Sequence, residues 1–216
     1  LTFGTTTIVG LQIAGGFDQR LLVVDPRSGV FVYTPALLLT ALAYSVPLLL
    51  ILVAHELGHY LMCRKYGLNA SPPWFLPFIP WFPWPGTFGA FIRVREPIRD
   101  KKALFDMAVA GPIAGFVVAL PFAVWGILHT RPNFDPPTGG AYYYGYPLVV
   151  KGLQLLLTGK TFSSLYVVEH PTFLAAWWGF FVTSLNLIPA GQLDGGHTVY
   201  AVFGRRYRVL LLPVLL

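Results

Sequence analysis

The chain has 216 residues, of which 55% are hydrophobic and only 11% are charged. Soluble domains usually carry about 25% charged residues, so this composition argues against a water-soluble globular domain. The net charge of +6 alone fits nucleic acid or anionic lipid as a partner. The basic residues form no long patch and accompany no nucleic-acid-binding motif, so we expect no nucleic-acid partner.

The N-terminal quarter predicts one clear membrane-spanning helix. Residues 1–16 are apolar but too short to cross a bilayer alone, and residues 17–35 carry the charges, proline and glycine of a polar loop or hairpin. Residues 36–54 contain no charged residue, which predicts a transmembrane helix with a kink at Pro47. We expect this helix to continue as far as Lys65.

The middle of the chain predicts irregular apolar structure followed by a strand. Residues 71–88 hold six prolines and three tryptophans, a density at which no regular helix survives. A non-helical apolar segment beside a membrane span is typical of a re-entrant or interfacial loop. Residues 89–96 alternate between apolar and polar side chains and predict a short β-strand.

Further apolar segments follow at 103–128, 148–157 and 173–190, and a last one begins after Arg208. A break is expected in the first of them at Gly111, Pro112 and Gly115, small or kinking residues that allow helices to bend or to approach one another closely. The second is short enough to lie at the membrane surface, and the third is expected to break at Pro189. The fold class predicted is therefore an all-α polytopic membrane protein, a bundle of about four to six transmembrane helices with a re-entrant β-like segment.

Residues 1–216 are predicted to form one membrane-embedded core, and both ends look like truncations within apolar sequence. Ten of the 15 basic residues fall in three clusters, at 64–65, 93–102 and 205–208. These clusters share one side of the membrane if the predicted spans alternate. The positive-inside rule makes that side cytoplasmic.

The strongest chemical signal is His55-Glu56-Leu57-Gly58-His59, an HExxH pattern. On a helix, side chains four residues apart lie on one face, so both imidazoles can reach one metal ion. Glu56 stands beside them and can deprotonate a water molecule. The alternative, two surface histidines on an ordinary helix, is disfavoured because an uncharged run leads directly into the motif and a buried Glu needs polar partners.

A catalytic zinc ion takes three protein ligands, so one more is needed. Asp194 is the best candidate, because it follows an apolar span and is flanked by Pro189 and by glycines that break helices. His197 is a competing ligand, and Asp194 could instead cap a helix beginning at Gly195. Asn186, an amide within the apolar span, could bind the substrate oxyanion or backbone, or could instead form a hydrogen bond between helices.

Together, HELGH in a membrane helix, FGAFI with the basic stretch after it, AGPIAGF, and N-x-x-P-x-G-x-LDGG resemble the site-2 protease family. The resemblance covers roughly residues 36–205, and it is similar in character to the bacterial and plastid branch that includes the plant EGY proteases. Members are polytopic zinc proteases that perform regulated intramembrane proteolysis. Leu187 stands where the family often has the first proline of Asn-Pro-x-Pro.

The resemblance implies that His55, His59 and Asp194 bind one Zn²⁺ ion and that Glu56 is the general base. It also implies that residues 86–92 form the re-entrant strand, with Gly89 and Phe91 as candidate substrate contacts whose strand edge pairs with an unwound substrate. A purely structural hairpin is the alternative.

The implied substrates are transmembrane segments of other proteins in the lipid bilayer. The implied location is a bacterial inner membrane or a plastid membrane, with the active site toward the cytoplasmic side. The oligomeric state stays open.

Two other classes of function share these residues. A zinc carrier or channel could use the same ligands in broken helices, and an inactive scaffold could bind membrane helices without cutting them. Glu56 argues against both, because neither transport nor binding needs a general base beside the metal.

Overall fold

The computed structural model describes residues 1–25, 27, 31–81, 83–98, 100–132, 145–162 and 167–204. Within these ranges the chain is mostly helical, with helices α1 Thr2–Phe17, α2 Pro35–Lys65, α3 Lys101–His129, α4 Leu148–Thr158, α5 Pro171–Asn186 and α6 Asp194–Phe203. A short 3-10 helix follows α1 at Gln19–Leu21. The basic cluster at 205–208, the last apolar segment and most of the loop at 129–147 lie outside the described residues.

Among the described residues, two helices are long and apolar enough to cross a membrane, as judged from length and composition. These are α2, with 31 residues, and α3, with 29 residues. At about 1.5 Å per residue they extend roughly 45 Å, well beyond the ~30 Å of a hydrocarbon core. The predicted helix through residues 36–65 is thereby confirmed, and so is a mostly helical fold, whereas four to six spans and a re-entrant segment remain predictions.

The described strands form three two-stranded sheets. In the first, β1 Val23–Val24 pairs with β2 Phe31–Val32, and in the second, β3 Trp74–Pro77 pairs with β4 Thr87–Phe91. In the third, β5 Arg131–Pro132 pairs with β6 Val167–Val168. The first pair, in which Val23 faces Val32, is the predicted hairpin. The strand predicted at 89–96 begins two residues earlier and ends at Phe91, after which a single antiparallel bridge joins Ala70 to Val94.

Two expectations about helix breaks were wrong. Helix α3 runs without interruption through Gly111 and Pro112, because a proline removes only one helical hydrogen bond and the buried surroundings hold the rest of the helix in place. Helix α5 begins at Pro171, a favoured first position for proline, and already ends at Asn186, three residues before Pro189. The segment predicted at 173–190 is thus shorter than expected.

The chain divides into two compact units. The first contains residues 1–49, 76–88 and 119–178, and buries side chains such as Val9, Tyr44, Leu48 and Phe173. The second contains residues 50–75, 89–118 and 179–216, and among its described residues Cys63, Leu104, Met107 and Ala201 form a buried cluster. Every residue predicted for the site belongs to the second unit.

Candidate metal centre

Helix α2 supplies the two predicted histidines. His55 and His59 lie one turn apart, 4% and 7% exposed, and their ring centroids are 4.9 Å from each other. Glu56 is also buried, at 7% exposure. Charged and polar side chains this deeply buried in an apolar helix need partners. The partners come from α3, from the end of α5, from the start of α6 and from the segment just after β4.

Asp194 meets both histidines. It is the first residue of α6, and its Oδ2 lies 3.2 Å from Nε2 of His55 and 3.3 Å from Nε2 of His59. The alternative in which Asp194 caps the helix is wrong, because Leu193 occupies the N-cap position and the Asp194 carboxylate points to the imidazoles. One ligand atom from each of the three residues lies within 4.8 Å of the others.

This donor set fits a zinc ion. With zinc–nitrogen and zinc–oxygen distances of about 2.0–2.2 Å, neighbouring ligand atoms of a tetrahedral site stand roughly 3.3–3.5 Å apart, close to the separations between Asp194 and each histidine. Nδ1 of His59 donates a hydrogen bond of 2.8 Å to the Met107 carbonyl, so its proton lies there and the lone pair of Nε2 faces Asp194. Two neutral imidazole nitrogens and one carboxylate are ligands that zinc prefers.

The glycines after Asp194 have a different role from the one predicted. Gly195 and Gly196 lie inside α6 rather than breaking it. A Cβ at Gly195 would come within 2.6 Å of the Ile188 carbonyl oxygen, and one at Gly196 within 2.6 Å of the Gly191 carbonyl oxygen. The absent side chains therefore allow the first turn of α6 to pack directly on the preceding turn, which brings Asp194 to its position.

A cavity of about 250 Å³ opens onto the three residues. Its lining includes Glu56, Phe91, Asn186 and His197. The structure thus brings together all the predicted site residues except Gly89, which lies two residues before Phe91 in β4, with φ 108° and with no lining contact to the cavity. His197 lines the cavity but is not part of the three-residue cluster.

Besides Met107, the cavity residues Asn186 and Ile92 contact the cluster or Glu56. Asn186 Nδ2 lies 3.2 Å from Nε2 of His55, which is the contact between helices that the sequence left as an alternative. The backbone N–H of Ile92, just after β4, donates a hydrogen bond to the Glu56 carboxylate. The contacts made by the Ile92 N–H and the Met107 carbonyl could not be predicted, because backbone groups carry no residue-type signal.

Residues 43–211 match the model of peptidase family M50. The chain belongs to this family. It is 31% identical over 203 residues to the probable zinc metalloprotease EGY2, chloroplastic, of Arabidopsis thaliana, which covers 90% of this chain and 32% of that protein. It is 33% identical over 168 residues to the probable zinc metalloprotease EGY1, chloroplastic, of the same plant, covering 76% of this chain and 30% of that protein.

A third relative is the probable zinc metalloprotease EGY3, chloroplastic, of Oryza sativa subsp. indica, 29% identical over 228 residues, 94% of this chain and 34% of that protein. The chain spans about a third of the length of these relatives. The predicted resemblance to site-2 proteases and to the EGY branch is confirmed, zinc is the metal that the relatives' names give, and the family with the two long apolar helices indicates a membrane protein.

Proposed function

We propose that this chain is the catalytic core of a zinc-dependent endopeptidase of the HExxH type, which cleaves transmembrane segments of other proteins within the bilayer. The observation that carries the proposal is the Asp194 carboxylate, which lies within 3.3 Å of both His55 and His59 beside the buried Glu56. His55, His59 and Asp194 hold one Zn²⁺ ion in this proposal, and residues 1–216 act as one membrane-embedded core.

Each polar group at the cavity has a separate role in the proposed reaction. Bound zinc supplies a Lewis acid that polarises the substrate carbonyl and allows water to ionise near neutral pH. Glu56 takes the proton from the attacking water and then gives it to the leaving amine. The Ile92 N–H holds the Glu56 carboxylate in one orientation for both transfers. Asn186 donates its amide N–H to the developing oxyanion.

The strand next to the cavity is suited to hold an unwound substrate. A transmembrane helix hides its peptide groups in its own hydrogen bonds, so cleavage requires local unwinding and replacement hydrogen bonds. In the proposal, β4 offers its backbone edge near Gly89, and the exposed Phe91 side chain contacts the substrate at the cavity. Phe91 is 44% exposed, so its ring is accessible to a ligand.

The proposal extends to topology and location. About four to six spans, with residues 71–88 as a re-entrant segment, would surround the site, and the basic clusters would place its open side toward the cytoplasm or the equivalent plastid compartment. The relatives' names give the chloroplast, which supports a plastid membrane or the related bacterial inner membrane. Substrates are membrane proteins, and the lipid bilayer is the environment of the reaction.

The proposal is tested with purified protein in liposomes that also contain a panel of single-pass transmembrane peptides. Glu56→Gln removes the base but keeps the shape of the side chain, so we expect cleavage to fall at least 10²-fold while bound zinc stays the same. Leu57→Ala is the matched control, because Leu57 is the next residue, is 39% exposed and does not line the cavity. A zinc chelator should abolish cleavage by the wild type.

The same liposomes separate the competing functions. A zinc carrier would pass zinc across the vesicle membrane and would retain that flux after Glu56→Gln. An inactive scaffold would bind the peptides without cutting them. Cleavage that survives both Glu56→Gln and zinc removal would contradict the proposed function.

A further inference from the structure

One face of helix α3 touches the zinc-ligand cluster with its backbone. Met107, Gly111 and Gly115 follow one another at intervals of four residues, so they lie along one stripe of the helix. His55 and His59 have the same spacing on α2. The two helices are in backbone contact here, because a Cβ at Gly58 of α2 would come within 2.5 Å of the Ala110 carbonyl oxygen.

The two glycines of this stripe leave room for the two imidazoles. A Cβ at Gly111 would overlap with Nε2 and Cε1 of His59, and even Cδ2 of that ring would stand 2.5 Å away, where real Cβ contacts essentially never fall below 3.0 Å. A Cβ at Gly115 would lie 3.2 Å from Cβ of His55 and 3.3 Å from its Nδ1, which is tight but can be relieved by a small movement.

The third member of the stripe fixes the proton of His59. The Met107 carbonyl oxygen accepts a 2.8 Å hydrogen bond from Nδ1, and a carbonyl can only accept. The proton therefore stays on Nδ1, and the ring cannot rotate without losing the bond. A ring held at one end by a carbonyl and given space along its edge by Gly111 has one orientation left, with Nε2 toward Asp194.

We propose that the Met107–Gly111–Gly115 face of α3, which we call the glycine wall, is the positioning surface for the histidine ligands of the zinc site. The inference rests on the proposed function, because it concerns the same metal. A methyl group at Gly111 must move the His59 ring by at least roughly 0.5 Å, the tolerance within which a functional constellation has to be held. The helix itself would accept an alanine there without difficulty.

The first test is zinc affinity, measured on the purified full chain by competition with a chromophoric chelator. We expect Gly111→Ala to bind zinc at least 10²-fold more weakly than the wild type, and Gly115→Ala less than 10-fold more weakly. Gly152→Ala is the matched control, since Gly152 also lies inside a helix and a Cβ there meets nothing within 4 Å. With Co²⁺ in place of zinc, the visible absorption bands of Gly111→Ala should shift, because they report ligand geometry.

The second test uses no metal and separates ring displacement from general damage. Thermal unfolding of the metal-free protein is compared for Gly111→Ala, His59→Ala and the double variant. We expect Gly111→Ala to lower the Tm when His59 is present and not when it is alanine, because the smaller side chain removes the overlap. If Gly111→Ala alone does not fold, the double variant should recover folding.

The outcomes are distinguishable. Equal zinc affinities of Gly111→Ala and Gly152→Ala, or the same loss of Tm with and without His59, would overturn the glycine wall and leave the zinc protease proposal standing. A wild-type protein that binds no zinc would overturn the proposed function itself.

Discussion

Asn186 brings an amide group directly beside the ligand cluster. Its Nδ2 lies 3.2 Å from Nε2 of His55, the atom proposed to bind zinc. Once that lone pair is used by a metal ion, it no longer accepts a hydrogen bond, and the amide is left to donate into the cavity that it lines. A substrate oxyanion is an acceptor that would form only during the reaction, which makes this contact specific to the transition state.

Asn186→Ala should therefore lower kcat by about 10²–10³-fold, the usual cost of one oxyanion donor, with little change in KM. Zinc affinity should stay within a factor of a few, because Asn186 is not a ligand. If zinc affinity falls along with activity, Asn186 acts by holding His55, as the structural alternative requires. Kinetics on liposome-embedded peptides together with metal content distinguish the two.

Individual site residues were predictable to different degrees. His55 and His59 follow from helix geometry, because a spacing of four residues fixes a common face. Glu56 follows from the HExxH pattern, in which the glutamate beside the first histidine is the general base. Asp194 lies 139 residues from His55 in sequence, and no local pattern encodes a contact at that distance. Its role is indicated only by the resemblance and by the proline and glycines that flank it.

At the level of elements, the pairing of α2 with α3 was the least visible in the sequence. The sequence predicts that Gly111, Pro112 and Gly115 break α3 or let it approach another helix closely, without indicating which helix. The break is wrong, because the helix is continuous, whereas the close approach is confirmed and its partner is α2. A glycine within a helical sequence is compatible both with a helix break and with close packing against another helix. Which of the two occurs depends on the partner helix, which the local sequence does not identify. The ends of α2 were predictable because an uncharged run and a basic pair mark them.

A second element-level feature lies in the first unit, where β6 leads into α5. The Tyr146 hydroxyl donates a 2.7 Å hydrogen bond to the Glu169 carboxylate, and burial raises the pKa of Glu169 above its ordinary value. A raised carboxyl pKa means that the folded state favours the protonated form. The contribution of Glu169 to the stability of the fold is therefore complete below the ordinary pKa of a glutamate. It is lost as the pH rises through the raised pKa of Glu169 in the folded protein.

Glu169→Gln should remove this pH dependence, because glutamine stays neutral and its oxygen still accepts the bond from Tyr146. We expect the Tm of the variant to exceed that of the wild type by a few degrees at pH 8 and to equal it at pH 4. Thermal unfolding in detergent at both pH values measures this. The exposed Glu96→Gln is the control and should show no such difference; a lower Tm for Glu169→Gln at pH 8 would contradict the account.

At the scale of the whole molecule, the amino-acid composition was the main basis for predicting a membrane protein. A chain with 11% charged residues has too few polar side chains to cover a water-exposed surface. In the part of the chain that the structure describes, the two longest helices are those that could span a bilayer. Exposed tryptophans such as Trp74, Trp81 and Trp84 agree with a position at the interface between lipid and water. The number of spans could not be derived, because helices of 10–16 residues fall short of a full crossing.

The central claim is that one zinc ion is held by His55, His59 and Asp194, and zinc K-edge X-ray absorption on the purified full chain tests it most directly. We expect one zinc per chain, surrounded by nitrogen and oxygen atoms at about 2.0–2.2 Å, two of them in imidazole rings, and loss of the metal in Asp194→Ala. A sulfur neighbour at about 2.3 Å, or full zinc occupancy after Asp194→Ala, would contradict the account.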